Sequence, residues 1–337
     1  MKKLTLFNKI LFIINTVFAI GLVVSFALPY LEPQTYGVVA LMSLVVPVFI
    51  LINAFFVVYW ILIGFKKQFL QSLIVLIFSY FFQPSIYKFN PTTSTSKNGI
   101  TVFSYNVRKF NKYNWLKDKD IDKKIDSFIT SLHPDIVAIQ EYRKLNNFNL
   151  NYPFNYNHII RNNQSGLVIY SKYPIIKKGY LEYKRSDSRT IFVDIVKGTD
   201  TLRVYNFHLA SLGVNPEKDY LEANESKKLI KRLNRSFKIQ QDQIDTLQKH
   251  LKTSKYKKIL VGDMNNTSHS WAYKNIKGGF TDTFLEAGKG FGRTFNFNNI
   301  PLRIDYILVD EGIKVNNHTV FDVKLSDHQP IIAEIEL

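Results

Sequence analysis

Residues 257–265 read "KKILVGDMN". An apolar run between lysines and a polar end marks a buried strand. The rigid strand brings Asp263 and Asn265 to its end, where side chains from neighbouring strands can converge on one rim. The same texture recurs from residue 100 onward. Strand-like runs are "ITVFSYNV" (100–107), "DIVAIQE" (135–141), "GLVIYS" (166–171), "TIFVDIV" (190–196), "TLRVYNFHL" (201–209), "RIDYILVD" (303–310) and the closing "QPIIAEIEL" (329–337). Helical periodicity fills 118–132 and much of 217–253, so this part of the chain reads as globular α/β without internal repeats.

Several of these strands share the polar ending. "SYNV" places Asn106, "DIVAIQE" places Gln140 and Glu141, "YNFHLAS" places His208, and "RIDYILV" carries Asp305 into a strand start. "SDHQP" sets Asp327 beside His328 at the mouth of the last strand. Taken singly, a strand-end Asp or Asn is more often a turn former than a ligand. An isolated histidine is likewise more often structural than catalytic. The ordered set is what points to chemistry. A hard divalent cation takes oxygen ligands and keeps waters beside one or two carboxylates. Glu141, the amide oxygen of Asn106 and Asp327 suit that role. His328 titrates near neutrality when unperturbed and suits proton transfer.

With these motifs in this order, residues 100–337 resemble the endonuclease/exonuclease/phosphatase superfamily. That superfamily includes pancreatic-type deoxyribonuclease, abasic-site endonucleases, neutral sphingomyelinases and inositol polyphosphate 5-phosphatases. The resemblance implies a two-sheet α/β sandwich and a metal site of Asn106 and Glu141, with Asp327 facing the same ion. Mg²⁺ is the expected ion, with Mn²⁺ as a substitute. It also implies that Asp305 fixes the tautomer of His328. Asp263 and Asn265 would position the attacking water and the phosphate, and His208 would donate to a non-bridging oxygen. The general base is left between Asp263 and His328. One departure is Phe207, where the family commonly has Thr before the central histidine. Another is the longer stretch 210–258, whose segment "KKLIKRLNRSFK" (227–238) holds six basic residues and no acid.

The N-terminal part has a different character. Residues 10–28 run 19 positions without a charge, and 38–63 repeat the signal around Pro47, an expected kink. A third stretch, 69–82, is shorter and reaches span length only if extended over about 68–87. Lys2, Lys3 and Lys9 precede the first span, the first loop has no Lys or Arg, and Lys66-Lys67 separate the second and third stretches. Positive residues favour the cytoplasm. Two to three transmembrane helices over residues 1–89 are therefore expected, with the N-terminus inside. Three crossings would place residues 100–337 outside the cytoplasm, as in a bacterial inner-membrane protein. Residues 90–99, "NPTTSTSKNG", read as a polar linker.

Charge narrows the partners. The chain has 44 Lys and Arg against 27 Asp and Glu, and all but five of the bases and one of the acids follow residue 84, where the net is +13. So basic a domain favours phosphate-bearing partners. The absence of cysteine excludes disulfides and thiolate metal sites. The expected function is a metal-dependent phosphoesterase that hydrolyses a phosphate ester with an activated water, with a nuclease-like phosphodiesterase slightly ahead. The alternative is a hydrolase of phospholipid, sphingomyelin or inositol-phosphate headgroups at the bilayer surface. An inactive membrane receptor or scaffold is a minor third reading. No protein partner is inferable.

Overall fold

The computed structural model describes residues 4–64, 67–89, 91, 94, 99–145, 148, 150–160, 165–214, 223–297 and 300–337. Lys2, Lys3 and Lys66 and most of the 90–99 segment lie outside them.

The N-terminal part is helical. α1 (Leu6–Ser25) is long and apolar enough to cross a membrane. A short helix α2 (Pro33–Ala40) follows, then α3 (Val46–Leu62) and α4 (Phe69–Phe82). The apolar stretch 38–63 is thus not one continuous helix: the chain bends by 43° between the helical segments Pro33–Leu44 and Val46–Leu62. Pro47 sits in the first turn of α3, where its missing N–H has no helical partner to lose. α3 runs antiparallel to α1, since Tyr59 Oη donates to Asn8 Oδ1 at 2.8 Å while Phe49 meets Phe18 edge to face. α4 runs parallel to α1, because Ser72 meets Asn15 near its start and Gln83, just past its end, meets Ser25. A buried polar chain joins all three helices. Trp60 Nε1 donates to Asn15 Oδ1 at 2.9 Å, Asn15 Nδ2 to Ser72 Oγ, and Ser72 Oγ to Asn53 Oδ1 at 2.8 Å. Apolar side chains cover the outside, with Phe7, Ile13, Val17, Phe55, Leu62, Phe81 and Phe82 exposed.

The remainder starts with strand β1 (Ile100–Asn106), a tight turn α5 (Arg108–Asn111), helix α6 (Ile121–Leu132) and strand β2 (Ile136–Tyr142). Strands β3 (Phe154–Ile160), β4 (Ser165–Ser171), β5 (Ile175–Tyr183), β6 (Ser186–Lys197) and β7 (Asp200–His208) lead to the long helix α7 (Ala223–Leu251). Then come β8 (Lys257–Asp263), α8 (Trp271–Lys277), β9 (Phe280–Asp282) and α9 (Thr283–Ala287). A hairpin of β10 (Phe295–Phe297) and β11 (Ile300–Leu302) precedes β12 (Asp305–Asp310), β13 (Lys314–Val320) and β14 (Ile331–Glu336).

Two six-stranded sheets result, in the orders β13-β14-β1-β2-β4-β3 and β5-β6-β7-β8-β12-β9. Ile, Val and Ala side chains from their facing sides (Val102, Ile136, Ile169, Val193, Val204, Val261, Ile307, Ala333) form the central core. The outer faces are covered by α6 on one sheet and by α7 and α8 on the other. This is the two-sheet α/β sandwich expected from the motifs. In each sheet one pair of strands is parallel, β1–β2 and β7–β8, so their C-terminal ends lie at the same edge. The sheets are also tied by amides: Gln140 Nε2 donates to Asn206 Oδ1 at 2.8 Å, and Asn206 Nδ2 donates to the carbonyls of Ile139 and Val168.

The helical part rests on the sandwich. Gln34 of α2 bonds Gln241, Lys238 O and Asp242 on α7, and Thr267 Oγ1 donates to Ser43 O at 2.8 Å. Beyond α4, Lys88 and Gly290 exchange backbone bonds of 2.9 Å. Ser94, in the segment read as a polar linker, is bonded to Asn316 through both backbone and side chain.

Candidate active site

Asp263 closes β8 and is fully buried. Register places His208 opposite it on β7 and Asp305 opposite it on β12. The close approach of β8 to β7 requires Gly262, at φ +147°, because a Cβ there would lie 1.9 Å from Phe207 O. Phe207 itself, the residue that replaces the usual threonine, is buried in the outer core beneath α7.

Around the Asp263 carboxylate the groups converge. Oδ2 accepts from Asn106 Nδ2 at 2.9 Å and Asn265 Nδ2 at 3.2 Å, and Oδ1 accepts from the Asn265 backbone at 2.7 Å. His208 Nε2 lies 3.6 Å and His328 Nε2 3.7 Å from Oδ2. The other ring nitrogen of His328 is 2.9 Å from Asp305 Oδ2. Thr294 Oγ1 accepts from the Asp305 backbone, and the ring of Phe295 packs on His328. Asp263, Asp305 and His328 thus offer ligand atoms within 4.8 Å of one another.

Burial disfavours a charged His328, but the carboxylates of Asp305 and Asp263 outweigh it and push its pKa up to about 10. Burial, followed by the charge of Asp305, raises Asp263 to about 6. The two carboxylates that flank His328 thus favour its imidazolium form. Two carboxylates and an imidazole this close titrate as one coupled acid–base cluster, and the same three ligand atoms are arranged so that they could hold a cation.

The remaining expected residues line the adjoining edge. Glu141 follows Gln140 at a bulge in the β2–β4 pairing and adopts φ +50°. A bulge re-aims a side chain, and a non-glycine in this region is strained by about 1–2 kcal/mol. Among the described residues its carboxylate has no hydrogen-bond or ion-pair partner. Asn106 donates through Nδ2 to Asp263, so its Oδ1, which accepts from Arg108 N at 3.1 Å, faces the other way. Asp327 Oδ2 pairs with Arg108 at 3.1 Å, and Ser326 Oγ bonds Asn106 O at 2.7 Å, which ties the last loop to β1. Arg108 is thus a site residue that sequence reasoning missed. Four consecutive residues, Arg108 to Asn111, have positive φ between 41° and 58°, a left-handed turn with no glycine to announce it.

Residues 103–328 match the Endonuclease/Exonuclease/phosphatase family. The chain belongs to that family. Residues 8–86 match a domain of unknown function. The family fold recurs in solved structures. A mannosyl-6-phosphatase from Bacteroides thetaiotaomicron aligns with a TM-score of 0.54 at 18% identity, over 71% of this chain and 100% of the other. An endonuclease/exonuclease/phosphatase family protein from Leptotrichia buccalis gives 0.51 at 19%, over 71% and 100%. The human Nocturnin catalytic domain gives 0.55 at 14%, over 72% and 96%. No curated protein sequence matches the chain. Members of the family are phosphate-ester hydrolases, and the strand-end residues that drew attention in the sequence stand at the edge where the two parallel pairs of this family fold end.

Proposed function

We propose that the protein is a metal-assisted phosphoesterase. The observation that carries this reading is the buried Asp263 carboxylate, bonded by two asparagines and faced by two histidines at one sheet edge. Asp263 is placed to take the proton of an attacking water, and its raised pKa suits it better to that task than an ordinary carboxylate. The His328 imidazolium, oriented by Asp305, offsets the charge of the cluster. His208 Nε2 stands outside hydrogen-bond reach of Asp263 and is free to donate to a phosphoryl oxygen. The unpartnered carboxylate of Glu141, with the outward amide oxygen of Asn106, fits a hard divalent cation, and Asp327 lies on the same side. Mg²⁺ is the ion this oxygen set suits. When bound, such an ion polarises the phosphoryl group and offsets charge on the leaving oxygen.

For the substrate, high positive charge alone supports a polynucleotide. A more specific observation favours a phosphate ester at the membrane: Thr267, two residues beyond Asn265, is bonded to Ser43 between α2 and α3. With the helical part inserted in a bilayer, the site is held at its surface. A lipid or inositol-phosphate headgroup is therefore the better-supported substrate, and a nucleic acid is second. We also read α1, α3 and α4 as three crossings, which puts the catalytic domain opposite the lysines at the N-terminus and at Lys67.

The test is hydrolysis by the full-length chain in Mg²⁺, on phospholipid and inositol-phosphate headgroups in vesicles beside plasmid DNA and RNA. Activity should be lost in EDTA and in His328→Ala. Turnover that survives both overturns the mechanism, and cleavage confined to DNA or RNA overturns the substrate reading.

A further inference from the structure

The basic run 227–238 lies on α7, and the helix sorts it. Lys231, Arg235 and Lys238, spaced at i, i+4 and i+7, share a face. With Arg185, Asn234 and Ile239 they line an open groove of about 440 Å³. Their neighbours are engaged elsewhere: Lys228 pairs with Glu225, and Arg232 Nη1 donates to Gly213 O. Arg185 is compensated by Asp242 at 2.7 Å. Among the described residues Lys231, Arg235 and Lys238 have no ion-pair partner, which leaves three uncompensated cations around one hollow.

The position of the hollow says what would fill it. Lys238 O accepts from Gln34 Nε2 at 3.0 Å, so the groove adjoins α2. α2 joins the end of α1 to the start of α3 and exposes Tyr36, Val38 and Val39. In a bilayer crossed by those helices, this is the depth of the lipid headgroups. Cations at such a surface attract anionic lipid, and Ile239 supplies an apolar wall of the kind acyl–glycerol carbons contact. We propose that the groove binds the phosphate headgroup of an anionic phospholipid from the membrane that holds the anchor, such as phosphatidylglycerol. None of the lining residues belongs to the candidate catalytic set, and its occupation requires no turnover. Its consequence is orientation: a lipid held between α7 and α2 fixes the tilt of the sandwich on the bilayer.

The full-length protein in maltoside micelles, titrated with dihexanoylphosphatidylglycerol, tests this by thermal unfolding, because a ligand of the folded state raises the midpoint. Dihexanoylphosphatidylcholine and inorganic phosphate should give no comparable shift. With each cation worth roughly fivefold in affinity, K231Q/R235Q/K238Q should raise the half-saturating lipid concentration about a hundredfold. Lys238→Gln alone, the variant to use should the triple one fail to fold, should raise it roughly fivefold. His328→Ala should respond as the unaltered chain does, whatever becomes of its activity. An equal response to phosphatidylcholine or to free phosphate overturns the proposal. So does an unchanged response in the glutamine variants, or a variant-sensitive shift caused by a DNA oligonucleotide and not by the lipid.

Discussion

Asp263 and Glu141 are both carboxylates at strand ends, and their surroundings separate them. Asp263 has no solvent contact and four polar groups around it, whereas Glu141 is half-exposed and unpartnered. The two should therefore fail differently. Asp263→Asn should lower kcat by about 10²–10⁴ with an unaltered Mg²⁺ requirement, as expected for a proton acceptor. Glu141→Gln should instead raise the Mg²⁺ concentration needed for half activity at least tenfold, measured by metal titration. Equal metal curves for the two variants would remove Glu141 from the metal site. Two fully buried histidines outside the site contribute to the loss of stability in acid. Burial, with the Arg303 charge second, lowers His269 to about 3, and burial lowers His318 to about 4 despite nearby Asp282. His318 Nδ1 must donate to Thr283 Oγ1, since that hydroxyl spends its proton on Ile307 O. The unfolded chain takes up these protons from about pH 6.5 downward and the folded chain does not. The contribution of these two histidines is then full above that pH and falls as pH drops toward 4, by up to about 1.4 kcal/mol per pH unit for each. Denaturant titrations at pH 7.5, 6 and 5 should show this slope, and His318→Gln should flatten it.

At the level of elements, the site depends on β8 being pinned between β7 and β12. The pinning is a backbone contact, so substitution at Gly262 acts without touching a catalytic side chain. Gly262→Ala places a methyl against Phe207 O and forces a residue into a conformation that L side chains rarely adopt. We expect a loss of more than about 3 kcal/mol, read as a lower unfolding midpoint. Near-normal stability in that variant would mean that β7 and β8 separate easily, against the register that joins His208 to Asp263. The left-handed turn Arg108–Asn111 has the same character. Its conformation is unfavourable residue by residue and holds because Arg108 is fixed to Asp327 and lies 4.6 Å over the Trp115 ring.

At the scale of the whole molecule, the contacts between helices and sandwich constrain topology. Ser43, between α2 and α3, and Lys88, after α4, both bond the sandwich, so both lie on its side of any bilayer. On the proposed reading of three crossings, α3 leaves that side and α4 returns to it. The helix is 14 residues, about 21 Å at 1.5 Å per residue, and is shorter than a typical hydrocarbon core. The polar residues at its end, Gln83 with Ser25, fit an interface. Because the chain contains no cysteine, single cysteines report without background. Ser94→Cys should react with an impermeant maleimide in intact cells, and Lys67→Cys only after lysis. Labelling of both from the same side would leave α4 on the surface and move the domain to the cytoplasm.

What the sequence determined by itself was the alternation of strands with polar ends, because the burial of aliphatic runs and the polarity of their termini are local properties. The ordered motifs Asn106, Glu141, His208, Asp263, Asp305 and His328 carried the family for the same reason. Less apolar strands such as β3, β5 and β13 went unseen, since part of their length is polar and they hold their place by pairing with a neighbour. Only the tertiary structure placed the Asp263 carboxylate at the centre of the cluster, between His208 and Asp305, because that depends on cross-strand register and on burial. It alone decided the contact of α2 with α7, which joins residues 207 positions apart through one glutamine side chain. No local pattern encodes such a contact; it exists because two surfaces, each stable in its own part of the chain, happen to match.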